Sequence, residues 1–362
     1  MKKSVVQVLG RLDRGGAEMW LSQLNEQTVS SNYHFIFLTL RSGKGYLDQQ
    51  VLDNGAEIVN IPLSDGLLFY YRFYKFLKNR KVEILHSHVL NFSGIILFLG
   101  YLAGVKKRIA HSHSDKSEIN SKANFFRRKY IEFTTWLLNK FSTSRIACSD
   151  KAGKSLFETD YVLLDNGINF KRFPLCNIDE KKKLKEELEI DNDTFIIGHV
   201  GRYSYPKNHK FIVEIAKKLN LSDRKYTILL VGEGELFGEI KEKVEEEGLT
   251  DIIKMLGARD DIPNLMTNLF DLMIFPSFYE GMPLTLIESQ KSNLGVIISD
   301  TIPRDVIKIK ELFQILPIDK GAELWQVEIE NHKVINRDNS KDEEILKDFS
   351  IETSFKKLIN YY

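Results

Sequence analysis

The chain has 362 residues, of which 43% are hydrophobic and 28% are charged, and its formal net charge is +1. This composition is ordinary for a globular protein, so it excludes a disordered chain, and the balanced charge gives no signal for nucleic-acid binding. A chain of this length exceeds what one hydrophobic core usually supports, so we expect two domains.

The first predicted strand is a short apolar segment at residues 4–10, and Gln7 interrupts it, so we interpret it as a strand and not as a secretion signal. The pair Gly15-Gly16 follows, and then an amphipathic helix through Trp20. A strand, a glycine pair and a helix allow backbone to approach a phosphate closely. A plain connection explains the same pattern equally well.

Further strand signals at residues 35–38, 57–60, 82–85 and 108–110 alternate with helical stretches, which indicates a parallel sheet covered by helices. Residues 89–105 are apolar, but they fall short of the roughly 20 residues that a membrane helix needs, and glycines interrupt them. We therefore predict a crossover helix there and no membrane span.

Two His-Ser-His triplets end consecutive predicted strands, one with His86 and His88 and the other with His111 and His113. Residues two apart on a strand share a face, so four imidazoles could form a metal site. We favour strand ends that line a crevice without metal, because no acidic or cysteine ligand has a matching position nearby. A single histidine there could still contact a substrate.

Residues 122–141 are the most basic and aromatic segment of the chain, and two interpretations are open. Its basic residues are Lys122, Arg127, Arg128, Lys129 and Lys140. A helix of this kind can lie on an anionic membrane surface. It can also be a domain helix with one face in the core. The side chains buried in that second interpretation are Phe125, Tyr130, Phe133 and Leu137.

Strand signals at residues 146–149 and 162–168 close the first series, and we expect the latter to end in an Asn-Gly turn. A charged helix follows at 179–189. Cys148 and Cys176 have no metal-ligand spacing, which fits a reducing, cytoplasmic compartment. The expected division is a first domain at 1–168, a linker at 169–192, a second domain at 193–344 and a final helix at 345–362.

The second domain repeats the same rhythm, with strand signals at residues 195–201, 226–232, 253–257, 272–275 and 295–300. The loop after the first of these strands contains Arg202 and Lys207. Two cations at the carboxyl end of a strand suit a diphosphate and can stabilise charge that develops on it.

Two carboxylates bracket the start of a helix after the strand at 272–275: Glu280 lies in the loop and Glu288 lies in the helix, with Pro283 near the first turn. The crevice at the carboxyl ends of strands is where open α/β sheets bind ligands. A helix N-terminus suits a phosphate, and a carboxylate accepts hydrogen bonds from vicinal hydroxyls. The local chemistry predicts a sugar nucleotide.

This combination resembles the retaining glycosyltransferases of family four, which have the GT-B fold, and among them the bacterial enzymes that build capsular or exopolysaccharide units. The resemblance covers nearly the whole chain. The residues that carry it are Glu280, Glu288, Arg202, Lys207, Gly232-Glu233-Gly234, Asn166-Gly167-Ile168 and Gly15-Gly16-Ala17-Glu18. It implies an α/β fold of two Rossmann-like domains that face a central cleft, with the final helix crossing back to the N-terminal domain.

The resemblance also implies roles for individual residues. The catalytic group is Glu280, Arg202, Lys207 and His113. The donor-binding group is Gly16, Gly232, Arg259, Ile262, Gly281, Met282, Pro283, Leu284 and Glu288, and the acceptor-binding group is Gly15 and His88. Within these groups, Arg202 and Lys207 hold the diphosphate, Glu280 meets the donor sugar and Glu288 meets the ribose.

The implied reaction transfers a hexosyl group from a nucleotide-diphosphate sugar, with UDP as the expected carrier, to a lipid-linked glycan. It needs no metal or other cofactor and retains the anomeric configuration. The implied location is the cytoplasm, with peripheral membrane contact through residues 122–141 and no nucleic-acid partner. Relatives commonly carry a glycine pair after Asp300, where this chain has residues 301–305 of different composition, so the sugar cannot be borrowed from them.

Two alternatives belong to other functional classes. A metal-dependent hydrolase would use His86, His88, His111 and His113. A non-catalytic partner protein with the same fold would be expected to lack Glu280, Arg202 or Lys207, and all three are present.

Overall fold

The computed structural model describes residues 2–114, 123–334 and 343–362. The chain forms two compact units: the first comprises Met1–Asn169 and Asp348–Tyr362, and the second comprises Phe170–Lys347. Each unit contains one parallel sheet with helices. Within the described ranges, no helix combines the length and the apolar character needed to cross a membrane.

The first unit has a seven-stranded parallel sheet in the order β3-β2-β1-β4-β5-β6-β7. Its central strands are buried along most of their length, as expected where helices cover both faces. The strands are β1 Lys3–Leu9, β2 Tyr33–Thr39, β3 Glu57–Asn60, β4 Ile84–Ser87, β5 Lys107–Ser112, β6 Ser144–Ala147 and β7 Val162–Leu163. The helices are Gly16–Thr28, Asp48–Asp53, Leu67–Asn79, Ser93–Leu102, Phe125–Phe141, Asp150–Leu156 and Ile351–Leu358.

The second unit has a six-stranded parallel sheet in the order β10-β9-β8-β11-β12-β13. Its strands are β8 Phe195–Val200, β9 Tyr226–Val231, β10 Ile253–Gly257, β11 Leu272–Phe275, β12 Val296–Ser299 and β13 Phe313–Leu316. Its helices are Ile178–Glu187, His209–Leu219, Phe237–Glu246, Ile262–Asn264, Leu284–Lys291, Ala322–Asn331 and Glu343–Leu346.

In each sheet the strand order reverses at one pair of neighbours, β1 with β4 and β8 with β11. Connections leave these neighbours in opposite directions, so a crevice opens at their carboxyl ends, where ligands of open α/β sheets bind. In the second unit, the loops at this position are residues 201–208 and 276–283. The folding pattern therefore places Lys207 and Glu280 beside each other.

The helix Ile351–Leu358 belongs to the core of the first unit, although it follows the second unit in sequence. The indole N–H of Trp20 donates to Ser354 Oγ at 3.0 Å. The backbone of Ile168 forms a parallel bridge with Ser350. These contacts fix the returning chain against the segment that leaves the first unit.

Several predicted elements differ from the structure. The segment expected as a linker, 169–192, contains the predicted charged helix as Ile178–Glu187, but it belongs almost entirely to the second unit, where the backbone N–H of Asn177 donates to Asn268 Oδ1 at 2.8 Å. The strand predicted at 162–168 is only Val162–Leu163. The predicted turn is not formed at Asn166-Gly167, and a Cβ on Gly167 would lie 2.4 Å from the Ser350 carbonyl oxygen of the returning chain.

The helix Phe125–Phe141 corrects the prediction that Phe125, Tyr130 and Phe133 enter the core. Their exposed fractions are 68%, 44% and 54%, whereas Leu137 is buried. The buried side chains of this helix are Thr134, Thr135, Leu137 and Leu138. Gly94 packs so closely against this side that a Cβ there would lie 2.0 Å from the Thr134 carbonyl oxygen. Lys122 lies outside the described residues.

Candidate active site

Lys207 and Glu280 meet beside the carboxyl ends of β8 and β11. Lys207 Nζ lies 2.7 Å from Glu280 Oε1, and the two side chains are 16% and 13% exposed. The same ammonium lies 4.5 Å from the centre of the Phe275 ring. The backbone N–H of Phe278 donates to the Pro206 carbonyl at 2.8 Å, which joins the two loops. The structure thus brings together two side chains that the sequence assigned to one crevice.

Arg202 is placed differently from Lys207. Its guanidinium lies 3.3 Å from Glu235, and its side chain is 71% exposed. The next residue, Tyr203, is completely buried, so the loop is anchored there and leaves Arg202 at the surface. Among the described residues, Glu280 pairs with Lys207 and not with Arg202.

The predicted donor-binding Gly232 lies where two loops pack against each other. Its φ is +144°, and a Cβ there would lie 2.1 Å from the Gly201 carbonyl oxygen. A Cβ on Gly234 would lie 2.3 Å from the Tyr203 carbonyl oxygen. Glycine is therefore required at both positions to keep the loop that carries Arg202 and Lys207 in place.

Glu288 lies in the helix Leu284–Lys291, which follows the predicted donor-binding residues Gly281 and Met282. Pro283 caps this helix from outside, and Leu284 is its first residue. Burial raises the pKa of Glu288 to about 7, and the charge of Arg172 opposes this shift. This carboxyl group therefore changes its charge near neutral pH.

The guanidinium of Arg259 contacts the carboxylate of Asp261, which directly precedes the short helix Ile262–Asn264. Its Nε and Nη2 lie 2.8 and 2.6 Å from the two carboxylate oxygens of Asp261, and Nη2 is also 3.3 Å from Glu187. This forked contact holds the pKa of Asp261 below its usual value. The side chain of Arg259 thus fixes the loop whose backbone was predicted to meet the base.

The glycine pair of the first unit precedes the helix Gly16–Thr28. Gly16 is exposed, while Gly15 is the N-cap, and its carbonyl accepts from the Met19 N–H at 2.8 Å. Glu18 folds back over Gly15, where a Cβ would lie 2.2 Å from its Oε2. Burial raises the pKa of Glu18. This carboxyl group was not among the predicted site residues.

The four histidines of the two triplets form one cluster in the first unit. His88 Nδ1 lies 2.8 Å from His113 Nε2, and His88 Nε2 lies 2.9 Å from Gln7 Oε1. The rings of His111 and His113 stack with centres 4.0 Å apart. Burial lowers the pKa of every one of these histidines, to about 3 for His113, so they are neutral at pH 7.

The candidate metal ligands in this cluster are His86, His88 and His111, whose ligand nitrogens lie within 4.8 Å of one another. However, both ring nitrogens of His88 are occupied by hydrogen bonds to Gln7 and His113. Metal binding by His88 would have to break one of these bonds, since a ligating nitrogen must present a free lone pair. The geometry favours a hydrogen-bonded cluster over a metal centre.

Comparisons with known proteins identify the family of this chain. The family model described as Glycosyl transferases group 1 matches residues 180–311. The chain is also 33% identical over 338 residues to the Bacillus subtilis (strain 168) protein named "Putative glycosyltransferase EpsF", covering 90% of this chain and 86% of that protein. This chain belongs to the group 1 glycosyltransferases.

A further relative and a solved structure are also similar to this glycosyltransferase. An Escherichia coli protein named UDP-Gal:alpha-D-GlcNAc-diphosphoundecaprenol alpha-1,3-galactosyltransferase is 29% identical over 256 residues, covering 67% of this chain and 64% of that protein. The crystal structure of Anabaena HepE in complex with UDP and glucose has a TM-score of 0.81 at 15% identity, covering 99% of this chain and 98% of that chain. The predicted GT-B fold and the hexosyltransferase class are confirmed, and the hydrolase alternative is not supported.

Sequence reasoning missed a buried polar group beneath the Lys207 loop of this glycosyltransferase. His199 Nδ1 lies 3.0 Å from the Ile274 carbonyl oxygen, and the rings of His209 and Tyr203 stack with centres 4.1 Å apart. Burial lowers the pKa of His199 to about 4 and that of His209 to about 2. The sequence signal for this group was the position of its two histidines: His199 lies near the end of a strand and His209 lies at the start of a helix.

Proposed function

We propose that this glycosyltransferase retains anomeric configuration and moves a hexosyl group from a UDP-sugar to a lipid-linked glycan in capsular or exopolysaccharide assembly. The name of the Escherichia coli relative specifies a UDP-galactose donor and a diphosphoundecaprenol-linked acceptor, and HepE binds UDP. The observation that carries the proposal is the shielded pair of Lys207 and Glu280 at the strand-order reversal of the second unit.

Lys207 and Glu280 have different tasks in this proposal. The ammonium of Lys207 is paired with Glu280, and a diphosphate is a stronger partner for it because a diphosphate carries more charge. Binding of the donor then leaves Glu280 available to accept hydrogen bonds from sugar hydroxyls. Arg202, on its exposed loop, adds a second cation for the diphosphate. Glu288 binds the ribose, and the backbone of residues 259–262 meets the base.

The proposed reaction breaks the bond between the anomeric carbon and the diphosphate oxygen. The acceptor hydroxyl oxygen bonds to the same face of that carbon, and its proton leaves on the departing phosphate. Lys207 and Arg202 stabilise the charge that develops on this phosphate, so the proposed mechanism uses neither a metal ion nor an obligatory protein base. Gly15, His88 and His113 belong to the proposed acceptor side in the first unit, and Gly16 belongs to the proposed donor-binding group.

The site assignment is tested by Lys207→Ala and Glu280→Ala. We expect each variant to lower sugar transfer by at least about a hundredfold, the scale for the loss of a group that stabilises the transition state. Lys210→Ala is the matched control, because Lys210 lies three residues after Lys207 and forms a half-exposed ion pair with Glu239 at 2.5 Å. Near-normal turnover in a folded Lys207→Ala or Glu280→Ala protein would show that the pair is only structural.

The donor is identified by a screen of UDP- and GDP-sugars for protection against thermal unfolding, because a bound donor raises the unfolding midpoint according to its occupancy. We expect UDP-sugars to protect the protein and GDP-sugars to leave the midpoint unchanged. Protection by GDP-sugars alone would contradict the UDP assignment.

Peripheral contact with the cytoplasmic face of a membrane is the remaining part of the proposal. Phe125, Phe126 and Trp136 are 68%, 83% and 51% exposed on a helix that also carries Arg127 and Lys140. Exposed aromatic and basic side chains suit the headgroup region of an anionic membrane. Sedimentation with phosphatidylglycerol vesicles should fall when both Phe125 and Phe126 are changed to Ser. Equal sedimentation of both proteins would contradict this contact.

A further inference from the structure

Five side chains of the first unit form one continuous hydrogen-bonded chain that runs from His86 to His113. His86 Nδ1 lies 2.9 Å from the Tyr362 hydroxyl, and Gln7 Nε2 lies 2.8 Å from the same hydroxyl. Gln7 Oε1 lies 2.9 Å from His88 Nε2, and His88 Nδ1 lies 2.8 Å from His113 Nε2. The terminal atoms, His86 Nε2 and His113 Nδ1, are shielded and have no hydrogen-bond partner among the described residues.

The amide of Gln7 sets the direction of every bond in this chain. Its nitrogen can only donate, so the Tyr362 hydroxyl accepts from it and donates its own hydrogen to His86 Nδ1. Its oxygen can only accept, so His88 carries a hydrogen on Nε2 and has a lone pair on Nδ1. That lone pair accepts from His113 Nε2–H. In consequence, the remaining nitrogen of neutral His113, Nδ1, is a hydrogen-bond acceptor.

Reversal of the chain requires a half-turn of the Gln7 amide, which would reverse all four hydrogen bonds together. His113 Nδ1 would then carry a hydrogen, and His86 Nε2 would lose one. The two terminal atoms are therefore coupled: when one of them carries a hydrogen, the other is an acceptor. While the Tyr362 hydroxyl donates its hydrogen to His86, its oxygen can only accept from Gln7, which opposes a half-turn of the Gln7 amide. The Tyr362–His86 hydrogen bond therefore helps to set the direction of the other three hydrogen bonds.

We propose that Gln7, His88 and Tyr362 are positioning residues that hold His113 with Nε2 protonated and Nδ1 ready to accept a hydrogen bond from a sugar hydroxyl. This inference rests on the proposed function, which places His113 on the acceptor side. The hydroxyl concerned is not the attacking one, because the proton of the attacking hydroxyl leaves on the phosphate. The unpartnered, shielded His113 Nδ1 is the atom that such a hydroxyl would satisfy.

Tyr362→Phe tests the chain, because it removes the acceptor of the Gln7 amide hydrogen with little change in shape. In wild-type protein labelled with ¹⁵N-histidine, we expect NMR to show His88 and His113 protonated at Nε2. In Tyr362→Phe we expect a mixture of tautomers at both residues. We also expect a decrease in kcat of about three- to tenfold with little change in donor KM, the scale for one hydrogen bond.

Ser354→Ala is the matched control, since the Ser354 hydroxyl is buried in the same unit, accepts from the Trp20 indole and donates to the Asp165 carbonyl, and neither of these hydrogen bonds involves the five side chains. It should leave the histidine tautomers and kcat unchanged. Protonation of His113 at Nδ1 in the wild type, or unchanged tautomers in Tyr362→Phe, would overturn the inference even if the enzyme transfers sugar. A wild-type protein with the expected tautomers but no transfer from any UDP-sugar would instead overturn the proposed function.

Discussion

At the scale of single residues, Glu288 is a carboxyl group whose charge depends on burial. Its pKa is raised to about 7, from an ordinary value of 4.5. Between these two pH values the folded chain holds the proton more tightly than the unfolded chain does. The contribution of Glu288 to the free energy of unfolding is therefore fully present below about pH 4.5 and is lost as the pH rises through 7.

Glu288→Gln should remove this pH dependence, because an amide does not titrate. We expect the variant to gain stability relative to the wild type as the pH rises from 4.5 to 7, measured by urea unfolding of both proteins. The buried histidines have lowered pKa values, so their contribution to the free energy of unfolding rises with pH below about 6.5. Both proteins contain these histidines, so the quantity to compare is the difference in stability between the two proteins. Glu242→Gln, on an exposed helix face, is the control. A constant difference would contradict the raised pKa.

The contact between Lys207 and Glu280 was predictable because parallel strands bring their carboxyl ends to one edge. The direction of the Arg202 side chain was not, because it depends on the burial of the neighbouring Tyr203. The hydrogen bond between Gln7 and Tyr362 joins positions 355 apart in sequence, and no local pattern indicates such a pair. Local chemistry thus predicted that Lys207 and Glu280 lie near each other, but not the direction of Arg202 or the partner of Gln7.

At the scale of elements, most strands were predicted from their apolar runs, including the edge strands β3 and β10, but one edge strand was missed and another is shorter than predicted. β13, at one edge of the second sheet, is a four-residue strand that was not predicted. β7, at one edge of the first, has exposed Val162 and Leu163. Edge strands bury less surface, so their sequence is less constrained to a continuous apolar pattern.

The junction of β9 with the loop after it depends on Gly232. We expect Gly232→Ala to destabilise the protein and to abolish protection by the donor, because its Cβ would lie 2.1 Å from the Gly201 carbonyl oxygen and φ is +144°. The matched control is Gly238→Ala, at a helical position where a Cβ meets nothing within 4 Å. That substitution should stabilise the protein by up to about 0.5–1 kcal/mol in urea unfolding. Equal effects of the two changes would contradict this packing.

At the scale of the whole molecule, two domains followed from chain length and from the repeated strand and helix pattern. The chain leaves the second unit after Lys347, and residues 348–362 belong to the first unit. Ile351, Phe355 and Leu358 bury their side chains in the same core cluster as Trp20. The first unit is therefore built from two distant parts of the sequence, and its stability depends on both.

Hydrogen exchange tests this discontinuity through Leu358→Ala, because Leu358 is completely buried. We expect a loss of about 2–5 kcal/mol, with faster amide exchange in β1 and β2 of the first unit and little change in β8 and β9. Ile329→Ala is the matched control, since Ile329 is equally buried in the core of the second unit and lies nearby in sequence. It should produce the opposite pattern. Faster exchange of β8 and β9 in Leu358→Ala would show that the final helix stabilises the second unit instead.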